Sequence, residues 1–137
     1  LRQKIIYGIE KLTPVTKYTK RVVLFLPEAE YHELGILYVH FLLKQNGIYV
    51  DYLGTNIPMG DLEFLVSRTK PDYLFCHITS PAKKFKLDKF LDGLSKINKS
   101  SPVVLSGQIV RDYKGQVASN ISIKRSLGET IQFLNTI

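Results

Sequence analysis

The sequence predicts a three-layer α/β/α domain on a parallel sheet, and three observations point there. Apolar runs of strand length recur at residues 21–26, 48–53, 72–79, 103–106 and 121–124, and continuous runs of this kind suit strands buried on both faces. Between them, apolar residues take helical spacing near 34–45, 61–69, 87–98 and 111–117, with a last such stretch at 128–135. At 137 residues the chain can bury one such core without disulfides or a structural metal, and needs no second domain. Strands alternating with helices through right-handed crossovers give a five-stranded parallel sheet, for which a flavodoxin-like order 2-1-3-4-5 is expected.

Residues 1–20 precede this pattern. Leu1, Ile5, Ile6, Ile9 and Leu12 fall at helical spacing with Arg2, Lys4 and Glu10 between them, and the helix ends before Pro14. Its apolar face needs a partner, either the α/β core or helices outside this chain. Residues 13–20 read as a polar linker. The chain opens on Leu1, with no initiator Met and no signal-like segment, and is read as a piece of a longer protein. The α/β domain itself is assigned to residues 21–137.

Its first strand stops at Pro27. A Glu-rich loop follows, Glu28-Ala29-Glu30-Tyr31-His32-Glu33, and Gly35 lies at the start of an almost wholly apolar helix that Asn46-Gly47 closes. Pro71 and Pro102 each stand just ahead of a strand, where a missing N–H costs little.

Composition narrows the classes of function. With 45% hydrophobic and 23% charged residues and no apolar run of bilayer length, the chain reads as soluble, with no membrane partner. Lys+Arg 19 against Asp+Glu 12 gives +7, but only Lys83, Lys84 and Lys86 cluster. That cluster is read as a solvated face, the alternative being an anion or nucleic-acid patch. The single Cys76 lies in an apolar strand and reads as a buried inert thiol, which suits a reducing, cytoplasmic setting.

Ligands of open parallel sheets bind beyond the carboxyl ends of the strands, at the switch in strand order. With strands one and three adjacent, those ends bring Glu28, Glu30 and His32 toward His77, Thr79 and Ser80, with Ser106 and Gly107 next along the rim. Other occupants of this fold fare badly. A phospho-acceptor receiver needs an Asp where His77-Ile78-Thr79 stands, a nucleotide-binding unit needs a Gly-rich turn where Pro-Glu-Ala-Glu would repel phosphate, and a hydrolase needs a nucleophile elbow. No catalytic residue is assigned. His40, mid-helix among apolar residues, is read as a packing residue. Glu33 is read as charge at a helix N-terminus, and Tyr49, Tyr52 and Tyr73 as sheet residues; Tyr31 lies beside His32 without a spacing argument for a role.

Glu30-x-His32-x-x-Gly35 resembles the cobalamin-binding signature D-x-H-x-x-G, in the Glu-first form of MerR-family transcription regulators of the CarH and LitR kind. That pattern continues with an S-x-L element and a Gly-Gly pair. Here residues 36–76 separate Gly35 from His77-Ile78-Thr79, and residues 80–105 separate that element from Ser106-Gly107, close to the family's spacing. The texture of residues 24–35, of Tyr52-Leu53-Gly54 and of residues 71–75 is also similar, so the resemblance covers roughly residues 20–135, and residues 1–20 look like the end of the helical cap that precedes this domain, with its linker.

The resemblance implies a cobalamin, adenosyl or methyl, bound base-off. His32 would supply a ring nitrogen to cobalt as lower axial ligand, Glu30 would accept from the other nitrogen, and Gly35 would let the corrin approach the backbone. The displaced benzimidazole would lie between strands one and three, toward Ser106-Gly107. Three positions depart from the pattern: His77 replaces a serine that hydrogen-bonds the benzimidazole, Thr79 a leucine, and Ser106 the first glycine. His77 is expected to crowd the tail unless its ring swings out, and Ser106 to narrow the same slot. In full length, such a regulator binds DNA through an N-terminal helix-turn-helix, for which residues 1–20 are too short, and couples cobalamin to self-association. Two other readings stand beside this one: a corrinoid carrier module of an enzyme, and a vestigial oligomerisation or regulatory module in which His32, Glu30 and His77 hold a divalent metal or nothing.

Overall fold

The computed structural model describes residues 1–12, 20–97 and 100–137. Its strands, among the described residues, are β1 (Arg21–Pro27), β2 (Tyr49–Ile57), β3 (Tyr73–His77), β4 (Val103–Ser106) and β5 (Ile121–Ile123). All pair in parallel in the order β2-β1-β3-β4-β5, as the sequence predicts. The helices are α1 (Arg2–Lys11), α2 (Leu34–Gln45), α3 (Met59–Thr69), α4 (Leu87–Ser95), α5 (Gln108–Arg111) and α6 (Leu127–Thr136).

The two-residue period of β1 divides the core. Val22, Leu24 and Leu26 point to one face, where Ile36, Val39 and Leu43 of α2 and Leu134 of α6 cover them. Val23 and Phe25 point to the other, against Leu62 and Val66 of α3 and Leu91 and Leu94 of α4. Burying both faces of the central strands is what allows β1 and β3 to be apolar without alternation.

Helix α1 adds a further layer outside α2. Gly8 leaves room for the Phe41 ring, which a Cβ there would meet at 3.3 Å, and Lys44 Nζ donates to the Ile9 carbonyl at 2.9 Å. The partner of α1 is therefore α2. The linker expected over 13–20 lies, except for Lys20, outside the described residues, as do residues 98 and 99.

Several boundaries differ from expectation for definite reasons. No helix spans 111–117; α5 is a single turn that starts directly after Gly107 and ends at Arg111. The Arg111 and Tyr113 carbonyls accept from Arg125 Nη1, both at 2.8 Å, so a side chain from beyond β5 takes groups that a helix would use. Strand β3 stops at His77 rather than Thr79. Strand β2 continues to Ile57, bulging through Gly54 (φ 93°) and Asn56 (φ 56°), with register shifts against β1 at Leu24/Phe25 and Phe25/Pro27. Helix α3 begins two residues early, after Pro58, and α4 ends at Ser95.

Candidate functional site

The loop from Glu28 to Glu33 leaves the carboxyl end of β1 and is pinned before it reaches His32. Ala29 is buried with φ 77°, a conformation that costs a residue with a Cβ about 1 kcal/mol. Hydrogen bonds hold it there: its N–H donates to Asn56 Oδ1 at 2.9 Å, its carbonyl accepts from Ala82 N–H at 2.9 Å, and Asn56 N–H donates to the Glu30 carbonyl at 3.2 Å.

This places the Glu30 side chain, 0% exposed, inside the sheet edge. Oε1 accepts the backbone N–H groups of Thr79 and of Ser80, the latter at 3.0 Å. Oε2 lies 3.1 Å from His32 Nδ1 and accepts from Tyr31 N–H at 3.2 Å. Burial alone would raise the Glu30 pKa, but the Thr79 and Ser80 N–H groups and His32 together hold it below the ordinary glutamate value. An ionised carboxylate only accepts, so Nδ1 is the donor, and in the neutral ring Nε2 then carries the lone pair. The His32 side chain is 60% exposed. The arrangement is an exposed histidine held through one ring nitrogen by a buried carboxylate, a donor that could serve as one ligand of a metal.

His77 forms the second part of the site. At the last pairing of β3 with β4, His77 stands opposite Ser106, and its Nδ1 lies 2.8 Å from Ser106 Oγ. The ring lies over Gly35: a Cβ at that position would fall 2.3 Å from His77 Cδ2 and 2.5 Å from Nε2. Burial lowers the His77 pKa, against a smaller raising effect of Glu30. Gly107 (φ 106°) holds the chain against β3, since a Cβ there would meet the Ile78 carbonyl oxygen at 2.3 Å. Beyond His77 opens a cavity of about 390 Å³ between α2, the ends of β3 and β4, and the start of α6, with Tyr38, Thr79, Gln108, Arg111 and Lys124 among its lining.

The predicted residues thus form two groups, Glu30 with His32 and Thr79, and His77 with Gly35, Ser106 and Gly107. Thr79 serves through its backbone N–H. Among the described residues no three His, Cys, Asp or Glu side chains come together to hold a metal, so His32, Glu30 and His77 do not form a chelating group. Cys76 is buried, its thiol pushed well up by burial and by Glu30. Glu28 points away and borders a second cavity, of about 430 Å³, beside Lys84 and Lys86. Lys83, Lys84 and Lys86 are exposed.

Other roles were not foreseen. Glu33 precedes α2 without capping it; its carboxylate accepts from Tyr52 Oη at 2.5 Å and pairs with Arg2 Nε at 3.1 Å, tying α1, α2 and β2 together. Burial and Glu33 raise the Tyr52 pKa, so the phenol remains a donor. Arg111, Lys124 and Arg125 at the cavity rim were also missed, although Ser126-x-x-Glu129 is a legible helix start that marks this edge: Glu129 N–H donates to Ser126 Oγ at 3.1 Å.

No family model matches the chain, and no curated protein matches it. Solved structures do. A novel cobalamin-binding protein from Desulfitobacterium hafniense is 14% identical with a TM-score of 0.60, over 85% of this chain and 58% of that one. The methanol:cobalamin methyltransferase complex MtaBC from Methanosarcina barkeri is 18% identical with a TM-score of 0.64, over 98% and 52%. The monomethylamine corrinoid protein of Methanosarcina barkeri is 15% identical with a TM-score of 0.67, over 98% and 63%. This chain spans less than two thirds of each. It shares with them the flavodoxin-like fold of cobalamin-binding domains.

Proposed function

We propose that this chain is the corrinoid-sensing effector domain of a MerR-type transcription regulator, binding the corrinoid base-off with His32 as lower axial ligand. The observation that carries the reading is the Glu30–His32 pair at 3.1 Å, a buried carboxylate on one ring nitrogen and an open lone pair on the other. Cobalt in a corrin already has four equatorial nitrogens, so one protein histidine suffices where a bare ion would need three or four ligands. The exposed apolar side chains Tyr31, Leu34, Ile109 and Leu127, on the segments flanking His32 and the cavity, suit a flat macrocycle.

The residues fit the group at this end and not at the other, where the His77 ring occupies the space over Gly35. When bound, the corrinoid would supply a cobalt centre, its occupancy being the quantity sensed. His32 would hold the cobalt, Glu30 would fix the tautomer of the ring, and Glu30 would link His32 to the Thr79 and Ser80 N–H groups. The reading assigns no catalysis. DNA binding belongs to a helix-turn-helix outside this chain, output to self-association, and the setting to the cytoplasm; no helix among the described residues is long and apolar enough to cross a membrane. A corrinoid carrier module is the second reading, favoured by the likeness to a methyltransferase complex and a corrinoid protein.

The test is a spectral titration with hydroxo-, methyl- and adenosylcobalamin, beside His32→Ala. A shift from the free cofactor's spectrum that the variant lacks supports the reading. No shift with any of these forms or with diaquacobinamide, in folded protein, refutes it and leaves the vestigial module.

A further inference from the structure

A cobalamin whose lower face is taken by a protein imidazole has to place its own benzimidazole elsewhere, because the base stays tethered through its nucleotide. The 390 Å³ cavity has Gly35, His77, Ser106 and Gly107 in its wall. The gap between Gly35, at the start of the helix that follows His32, and the end of β3 is filled. The His77 ring lies so close over Gly35 that a single added carbon would overlap it at 2.3 Å, and the 2.8 Å contact with Ser106 Oγ fixes the ring from the other side. Ser106 is itself buried, and its position is set by the pairing of β4 with β3. The protein has thus put an imidazole of its own, already hydrogen-bonded, into that gap.

We infer that His77 is a specificity-determining residue that bars the benzimidazole tail, so that this domain takes corrinoids without a lower base, the cobinamide class, and discriminates against complete cobalamins. The inference rests on the corrinoid reading above and deepens it. Its physical form is a repulsive element: the ring does nothing for a truncated corrinoid, and sets a steric and hydrogen-bonding cost only against the tailed one. Admitting the tail requires breaking the Ser106 contact and moving a largely buried ring toward solvent. A cobinamide needs neither, and still meets His32.

The experiment compares binding of diaquacobinamide and hydroxocobalamin, read by absorbance, in the wild-type domain, His77→Ser and His77→Ala. Cobinamide binds more readily for the separate reason that it has no intramolecular base to displace, so the diagnostic quantity is the change in the ratio of the two affinities. The expected result is a gain of about tenfold or more for hydroxocobalamin in both variants, with cobinamide affinity within about threefold of wild type. A variant-free measurement stands beside it: in wild-type protein the ¹⁵N shifts of the His77 ring keep their hydrogen-bonded pattern when cobinamide is added. An unchanged ratio in the two variants, or loss of the His77–Ser106 signature with cobinamide, overturns the inference while leaving His32 ligation standing. Failure of every protein to bind either corrinoid overturns the reading on which it rests, and the inference with it.

Discussion

Replacing Glu30 separates its two duties. Glu30→Ala leaves the Thr79 and Ser80 N–H groups without their acceptor and opens a hole beneath the loop. An unmet buried donor costs about 1–3 kcal/mol. Thr79 is half-buried and Ser80 exposed, so water relieves the second donor, and the loss comes to about 2–4 kcal/mol, a large share of a small domain's stability. Glu30→Gln behaves differently. The two backbone donors fix the amide oxygen at the Oε1 position, which turns the amide NH₂ toward His32 Nδ1 and Tyr31 N–H. The cost is about 1–2 kcal/mol, and the His32 proton moves from Nδ1 to Nε2, so the outward lone pair is lost. Urea denaturation gives the stabilities, and two-dimensional ¹H–¹⁵N spectra of the histidine rings give the tautomer; corrinoid affinity in Glu30→Gln should fall about 10–100-fold. A Glu30→Ala protein within 0.5 kcal/mol of wild type, or a Glu30→Gln protein with the proton still on Nδ1, would refute the reasoning.

Three further outcomes follow from the same structure. Gly35→Ala drives a Cβ into the His77 ring and should cost about 1–3 kcal/mol; in a His77→Ser background the same change should be neutral or favourable, and additive denaturation midpoints would show the contact to be unimportant. Burial, with a smaller effect of Lys44, holds His40 down to about 4, while the unfolded ring titrates near its ordinary value of 6.5. The unfolded state therefore takes up the proton first as pH falls, and stability present above pH 6.5 is lost between there and about 4, by about 2–3 kcal/mol. His40→Leu should lose that component of the pH slope and, because His40 Nδ1 has no hydrogen-bond partner, gain about 1 kcal/mol at neutral pH; an unchanged slope in urea titrations at several pH values would exclude this group as its source. The Cys76 thiol should resist thiol reagents until the domain unfolds, so that its labelling rate rises with urea in step with global unfolding; rapid labelling of native protein would contradict its burial.

The topology was legible because it rests on local signals. Val22 to Leu26, Leu74 to Cys76 and Val103 to Leu105 are apolar without alternation, and only a sheet covered on both faces accommodates them. Adjacency of His77 and Ser106 followed from strand order, and the Glu30–His32 contact was expected from the resemblance of Glu30-x-His32-x-x-Gly35 to the cobalamin-binding signature. What escaped was non-local. Arg125 withdraws two carbonyls from a stretch that otherwise has helical spacing, and nothing near residues 111–117 announces it. Glu33 looks like a helix-dipole charge until Tyr52 and Arg2 are folded against it. Strand three seemed to run to Thr79 because no local signal shows that two of its N–H groups belong to a carboxylate 49 and 50 residues upstream.

That last separation bears on how the domain assembles. The loop carrying His32 cannot take its shape from its own sequence, since Ala29 is held against its backbone preference by Asn56 and the segment at Ala82, and Glu30 waits for the end of β3. Every one of these partners arrives later along the chain. On a ribosome, a nascent segment ending at α2 would therefore display His32 on a formless loop, and the histidine would acquire its orientation only in the step that lays β3 beside β1. Site geometry and sheet closure are one cooperative event, so amide exchange at Thr79 and Ser80 should report on His32 as faithfully as any probe on the histidine itself.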